Sequence, residues 1–306
     1  MNARPFLTLM QREWLQHRFA WMLLLLAPLG LALLLALFDQ VEFDSDMAEL
    51  PAQLPLLLAL VPAVAGTALM LAISLFTSFV IVVGLARRDH GDRSFEFWLS
   101  LPVPLWAALG VPLVVHLLAL PAVAMLLGWL SGQALGVLLV GRVAGLAALA
   151  DVPWTAGLVA TLSLLLRFVA GLPMAVLWVL PIILLLMLMN AWFKRWGFVV
   201  AIVGAGLLNL VNQLTTGQRW LFTTAGELLR HAGLSLMGAG GGPGLRLGKG
   251  DDGVQAMLRL PGVALHDFGA AVAALASPLF VGGLVFSAAC FALLLRWRQT
   301  GAGRAD

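Results

Sequence analysis

From position 56 to position 86 the chain runs 31 residues without a charged side chain. As an α-helix that stretch is about 46 Å long at about 1.5 Å per residue, against roughly 30 Å of bilayer hydrocarbon. A water-soluble domain cannot hide many such segments, because its own surface demands polar cover. Further uncharged runs occupy about 19–38, 105–129, 173–193, 196–214 and 270–295. Barrel strands would alternate apolar and polar residues at period two, which these runs do not. Charged residues make up only 11% of the 306, where soluble domains average about 25%. The expected fold is all-α: a polytopic membrane protein with six transmembrane helices in one domain over residues 1–306. Cys290 is the single cysteine, which excludes a disulfide within the chain and a cysteine-built metal site.

Residues 131–172 are also apolar, but Arg142, Asp151, Pro153 and Arg167 interrupt them. A charge at the bilayer centre costs about 2.5–3.5 kcal/mol on insertion scales, so this stretch reads as an extracytoplasmic interfacial or re-entrant helix. If both halves crossed, the count would be eight with the same sidedness.

Loop charges set that sidedness. With the N-terminus inside, Arg4, Arg12, Arg18, Arg87, Arg88, Arg93, Lys194, Arg195, Arg296, Arg298 and Arg304 are cytoplasmic, 11 of the 18 Lys and Arg. Only Glu13, Asp89, Asp92, Glu96 and Asp306 accompany them, so the inside carries +6 and the outside −3. The net charge of +3 is thus a topology signal, and no nucleic-acid partner is implied. Both termini are expected in the cytoplasm, with membrane lipid around the chain. A secretory signal peptide is not expected, because a polar arm of mixed charge precedes the first apolar run and no small-residue cleavage site follows it. In that arm Phe6, Met10 and Trp14 recur at i+4. The pattern describes either an N-terminal amphipathic interfacial helix or a basic anchor that sets topology.

A dense charged turn follows the second span. Arg87, Arg88, Asp89, His90, Gly91, Asp92 and Arg93 lead to Ser94, a good N-cap residue, and Pro102 stops the short helix so begun. Phe95, Trp98 and Leu99 form one apolar ridge at i, i+3 and i+4, with Glu96 elsewhere. By composition alone the segment 87–104 suits the lipid interface or a groove in a partner protein.

Here the chain resembles the membrane subunits of type 2 ABC exporters, six-helix permeases of the type V exporter fold. The resemblance rests on Arg88 and Asp89, Gly91, and the run Phe95, Glu96, Phe97, Trp98, Leu99, Ser100, Leu101, Pro102, Val103. It rests also on Ser277, Pro278, Leu279 and Phe280, then Gly282 and Gly283, and a last apolar helix closing on Arg296, Trp297 and Arg298. The resemblance implies a permease in a bacterial inner membrane, paired with an identical or paralogous subunit and coupled to a separate ABC ATPase. Arg87, Arg88, Asp89, Arg93, Phe95, Glu96, Trp98 and Leu99 would then form the coupling contact, with ATP and Mg²⁺ held by the partner. Residues 131–172 and 215–267 would form an extracytoplasmic gate.

The chain itself carries no phosphate cradle. Its one glycine-rich basic stretch, Gly244 to Gly250, has the wrong spacing for a P-loop and ends in Gly where a Mg²⁺-binding hydroxyl is needed. An intramembrane hydrolase is the enzyme alternative. It would require H-E-x-x-H or a nucleophile motif beside His116, and Ser74 or Ser163 offers none. An ion-driven secondary transporter would place charges near the bilayer midplane, and the six runs hold none except at their ends. The five histidines are scattered along the chain, so no metal site is expected. Polar candidates for a pathway are Ser74, Thr77 and Ser78 at helical spacing, His116, and Asn190, Asn209 and Asn212. Such groups either line a path or bond helix to helix. Gly128, Gly132 and Gly136 repeat every four residues and permit close helix approach, within the chain or between subunits.

Overall fold

The computed structural model describes residues 4–38, 54–91, 104–238 and 251–299. Every regular element among them is helical. Helix α1 runs Arg4–Phe38, with Pro5 in its first turn and Pro28 in its interior. The polar arm and the first apolar run are therefore one continuous helix, and the arm is not a separate interfacial one. Arg12, Glu13, Gln16 and Arg18 at the junction are neutral to good helix formers, so nothing local breaks the backbone there. One face of the arm packs on the protein: Leu9 and Glu13 are buried and Phe6 meets Trp106 at 5.7 Å, while further along α1 Trp21 and Leu25 pack on Met70, Val115 and Leu120.

Helix α2, Leu54–Gly91, carries the long uncharged run and continues past it through Arg87. Helix α3 spans Leu105–Ala144 and contains two π-turns, Val115–Ala119 and Val140–Ala144. The first has a local cause. Pro121 has no N–H to give the carbonyl of Leu117, and the Leu120 N–H reaches back five residues to the Val115 carbonyl. A short turn, α4 at Ala148–Asp151, joins α3 to α5, Trp154–Phe193. Beyond it lie α6, Gly197–Thr216, α7, Trp220–Met237, α8, Asp251–Ala274, and α9, Pro278–Gln299.

Among the described residues four helical stretches are long and apolar enough to cross a membrane: Leu54–Arg87, Leu105–Ala144, Trp154–Thr216 and Pro278–Gln299. The chain is an all-helical, multi-pass membrane protein. The 63 residues of Trp154–Thr216 do not form one rod. Lys194 takes φ 54°, a costly conformation outside glycine, and the chain turns back so that Gly197 seats against Asn190.

Residues 131–172 do not form a separate interfacial helix. Their first part, through Ala144, completes α3, and from Trp154 they open α5. The real breaks are Gly145, at φ 90°, and Pro153, which precedes the new helix. Trp154 Nε1 closes this corner by donating to the Leu149 carbonyl at 2.9 Å.

The tightest seam joins α2 to α3. A Cβ on Gly66 would lie 2.7 Å from the Gly128 carbonyl oxygen, and one on Gly128, Gly132 or Gly136 would collide with the backbone of Gly66, of Pro62 and Ala63, or of Ala59. The glycine stripe is thus spent inside the chain. Two ends of the bundle follow from the contacts. At one, Leu85, Ala86, Leu109, Ala191, Leu294 and Trp297 share a cluster, which gathers the neighbouring Arg87, Lys194, Arg195 and Arg296. At the other, Leu60, Ala156, Ala160 and Met257 bring α2, α5 and α8 together.

Candidate functional site

Three polar side chains meet where α1 crosses the π-turn of α3. Glu13 and His17 stand one helical turn apart on α1, so their side chains share a face. Opposite them, the π-turn carries His116. Glu13 is 1% exposed and His116 0%, while His17 is half-buried. His116 Nε2 lies 3.4 Å from Glu13 Oε2. Hydrogen-bonding and ligating atoms of all three residues fall within 4.8 Å of one another. His116 Nδ1 is buried without a hydrogen-bond partner among the described residues.

The surroundings hold this geometry. Trp21 sets its ring edge-on to His116 at 5.3 Å and lies against His17 at 6.1 Å. From α2, Ser78 Oγ donates to the His116 carbonyl at 2.5 Å, which pins the widened turn. A carboxylate taken out of water costs several kcal/mol unless it is paired, so the position of Glu13 is explained by the imidazole beside it. Sequence spacing links Glu13 to His17 at i+4, but their partner is some hundred residues away, and no local pattern could supply it.

The other polar candidates are dispersed. Ser74 bonds its own helix, donating to the Leu71 carbonyl at 2.9 Å, and Thr77 is half-buried one turn on. Asn190 Nδ2 reaches across from α5 to the Val83 carbonyl of α2 at 3.2 Å. The side chain of Asn209 is buried in α6, and its Oδ1 has no hydrogen-bond partner among the described residues. Asn212 is half-buried and closes the end of α6 by donating to the Gln218 carbonyl at 2.6 Å. The structure unites only Ser78 and His116 among these candidates.

A buried cation lies in α5. Arg167 donates to the Ser235 and Leu234 carbonyls at 2.6 and 3.3 Å in the last turn of α7, where helix carbonyls run short of intrahelical donors; the Leu234 carbonyl also accepts the Gly238 N–H at 2.9 Å. Asp267 on α8 supplies the countercharge. Arg167→Met is expected to destabilise the chain by about 1–3 kcal/mol by stranding the Ser235 carbonyl. The readout is a lower thermal midpoint in detergent, with Arg167→Lys intermediate.

An apolar crevice of about 840 Å³ opens between α5, α6, α7 and α9, lined by residues such as Leu185, Met189, Leu208, Leu228 and Phe286. In the charged turn after α2, Arg87 is half-buried, and the helical backbone continues through Arg88 and Asp89 to Gly91. Arg93, Phe95, Glu96, Trp98 and Leu99 lie outside the described residues. No family model, curated protein or solved structure matches the chain.

Proposed function

We propose that this chain is the transmembrane permease subunit of an ATP-driven type 2 ABC exporter with the type V exporter fold. The observation that carries the reading is the unbroken run of α2 from Leu54 to Gly91. Whatever pushes on the segment 92–103 moves the end of a helix whose first half, from Ala59 to Gly66, is locked to α3 by backbone-to-glycine contact. In this account the six crossings are the apolar part of α1, then α2, α3, the second half of α5, α6 and α9. The chain would sit in a bacterial inner membrane with both termini cytoplasmic. Arg87, Lys194, Arg195 and Arg296 flank one end of the bundle, which supports that orientation.

Catalysis would belong to the partner. Closure of an ATPase dimer would press on 87–104, where Phe95, Trp98 and Leu99 fill an apolar cleft. Arg87, Arg88, Asp89, Arg93 and Glu96 would form a charged rim that sets orientation. A second permease subunit, identical or paralogous, would complete the pathway, with α7, α8 and the first half of α5 at its outer mouth. Co-expression with a cognate ABC ATPase is expected to yield a co-purifying complex. Transport driven by a pH or Na⁺ gradient in proteoliposomes without that ATPase would replace this reading with a secondary carrier.

Sidedness has its own test. In a Cys290→Ser background, Asp44→Cys is expected to react with an impermeant maleimide from outside and His90→Cys only after the membrane is opened. Labelling of Asp44→Cys from the cytoplasmic side alone would overturn the topology.

A further inference from the structure

We propose that Glu13, His17 and His116 form a three-ligand site for a divalent transition-metal ion, which ties the N-terminal helix α1 to the π-turn of α3. The separations suit a shared ion. His116 Nε2 and Glu13 Oε2 stand 3.4 Å apart, at the long end for an N–H···O bond. That spacing matches two ligands on one tetrahedral ion whose bonds are about 2.0–2.2 Å. The third ligand atom lies within 4.8 Å of the others, so a tetrahedral site requires the His17 ring to move inward on binding.

The donor set defines the class of ion. Two imidazoles and one carboxylate suit Zn²⁺, Co²⁺ or Fe²⁺, whereas Mg²⁺ and Ca²⁺ take oxygen ligands. Three protein ligands leave a fourth position for water or an exchangeable group. Burial points the same way, since Glu13 and His116 are 1% and 0% exposed, and buried charges are commonly paired or bound to metal. His116 also sits in the one-turn widening of α3 that Ser78 pins from α2, and such π-turns are frequent at functional sites. The site does not depend on the exporter reading.

The test uses the full chain in detergent, purified through a tag without histidines, stripped with chelator, loaded with Zn²⁺ and desalted. Elemental analysis is expected to find about one zinc per chain. Glu13→Gln, His17→Gln and His116→Gln, each checked for monodisperse elution, are expected to retain less than a tenth of it. A wild-type chain that keeps no zinc overturns the proposal. Variants that keep as much zinc as wild type overturn it too, since the metal then lies elsewhere. Co²⁺ reads the geometry without any substitution. The intense visible bands of a four-coordinate site, displaced by Zn²⁺, are expected; the weak spectrum of six-coordinate Co²⁺ alone would contradict the site.

Discussion

Gly132→Ala is expected to lower the thermal midpoint of the detergent-solubilised chain by several degrees, although it adds one methyl group. The new Cβ would fall on the backbone of Pro62 and Ala63, so no flexible side chain can yield to it. Helices α2 and α3 must separate, and that loosens the reciprocal contacts of Gly66, Gly128 and Gly136 in the same seam. Without a hydrophobic drive between helices in lipid, such close packing supplies much of the attraction. Overpacking of this kind costs about 1–3 kcal/mol and occasionally more, roughly 2–4 °C per kcal/mol for a large domain. Gly84→Ala on α2 and Gly110→Ala on α3 are the controls, because nothing lies within 4 Å of their added methyls. They are expected to match or slightly exceed the wild type, as alanine is the better helix former. Equal midpoints for Gly132→Ala and its controls would show that the seam is looser than described.

The second large effect concerns the proposed partner. Trp98→Ala is expected to abolish co-purification with the ATPase while leaving the permease folded. A tryptophan at the centre of an apolar ridge, flanked by Phe95 and Leu99, has the character of an interface hot spot. Truncating one costs about 2–4 kcal/mol, roughly 30- to 1,000-fold in Kd. Arg93→Ala, on the rim, is expected to slow association and weaken its salt dependence with a smaller loss of affinity. A docking role alone predicts that the thermal midpoint of the isolated permease does not move with either change. A stable complex with undiminished coupled ATPase in Trp98→Ala would refute the docking role of this segment.

Much of the fold is legible in the sequence because a bilayer imposes a simple rule: uncharged runs must become helices. The second, third and last runs appear as α2, α3 and α9, and the reversal at Lys194 falls where a pair of cations separates two runs. The four-residue glycine period also reads correctly as close approach, but only the structure shows that Pro62, Ala63 and Ala59 are the recipients. Residues 131–172 were misleading for a physical reason. Arg167 is costly in lipid taken alone, yet carbonyls at the end of α7 satisfy it, so α5 continues through it. The polar arm misleads in the same way, since Glu13 finds His116 inside the bundle rather than water. In both cases the compensating partner sits on another helix far along the chain. Local spacing carries no record of it, and the three-residue cluster at Glu13, His17 and His116 is hidden for the same reason.

The exporter account is tested most directly at position 98 itself. A photoreactive benzophenone side chain placed there, in cells that co-express the cognate ABC ATPase, should cross-link the permease to that ATPase, more strongly when ATP hydrolysis is blocked. Adducts to lipid or to a second copy of this chain, with none to the ATPase, would contradict the account.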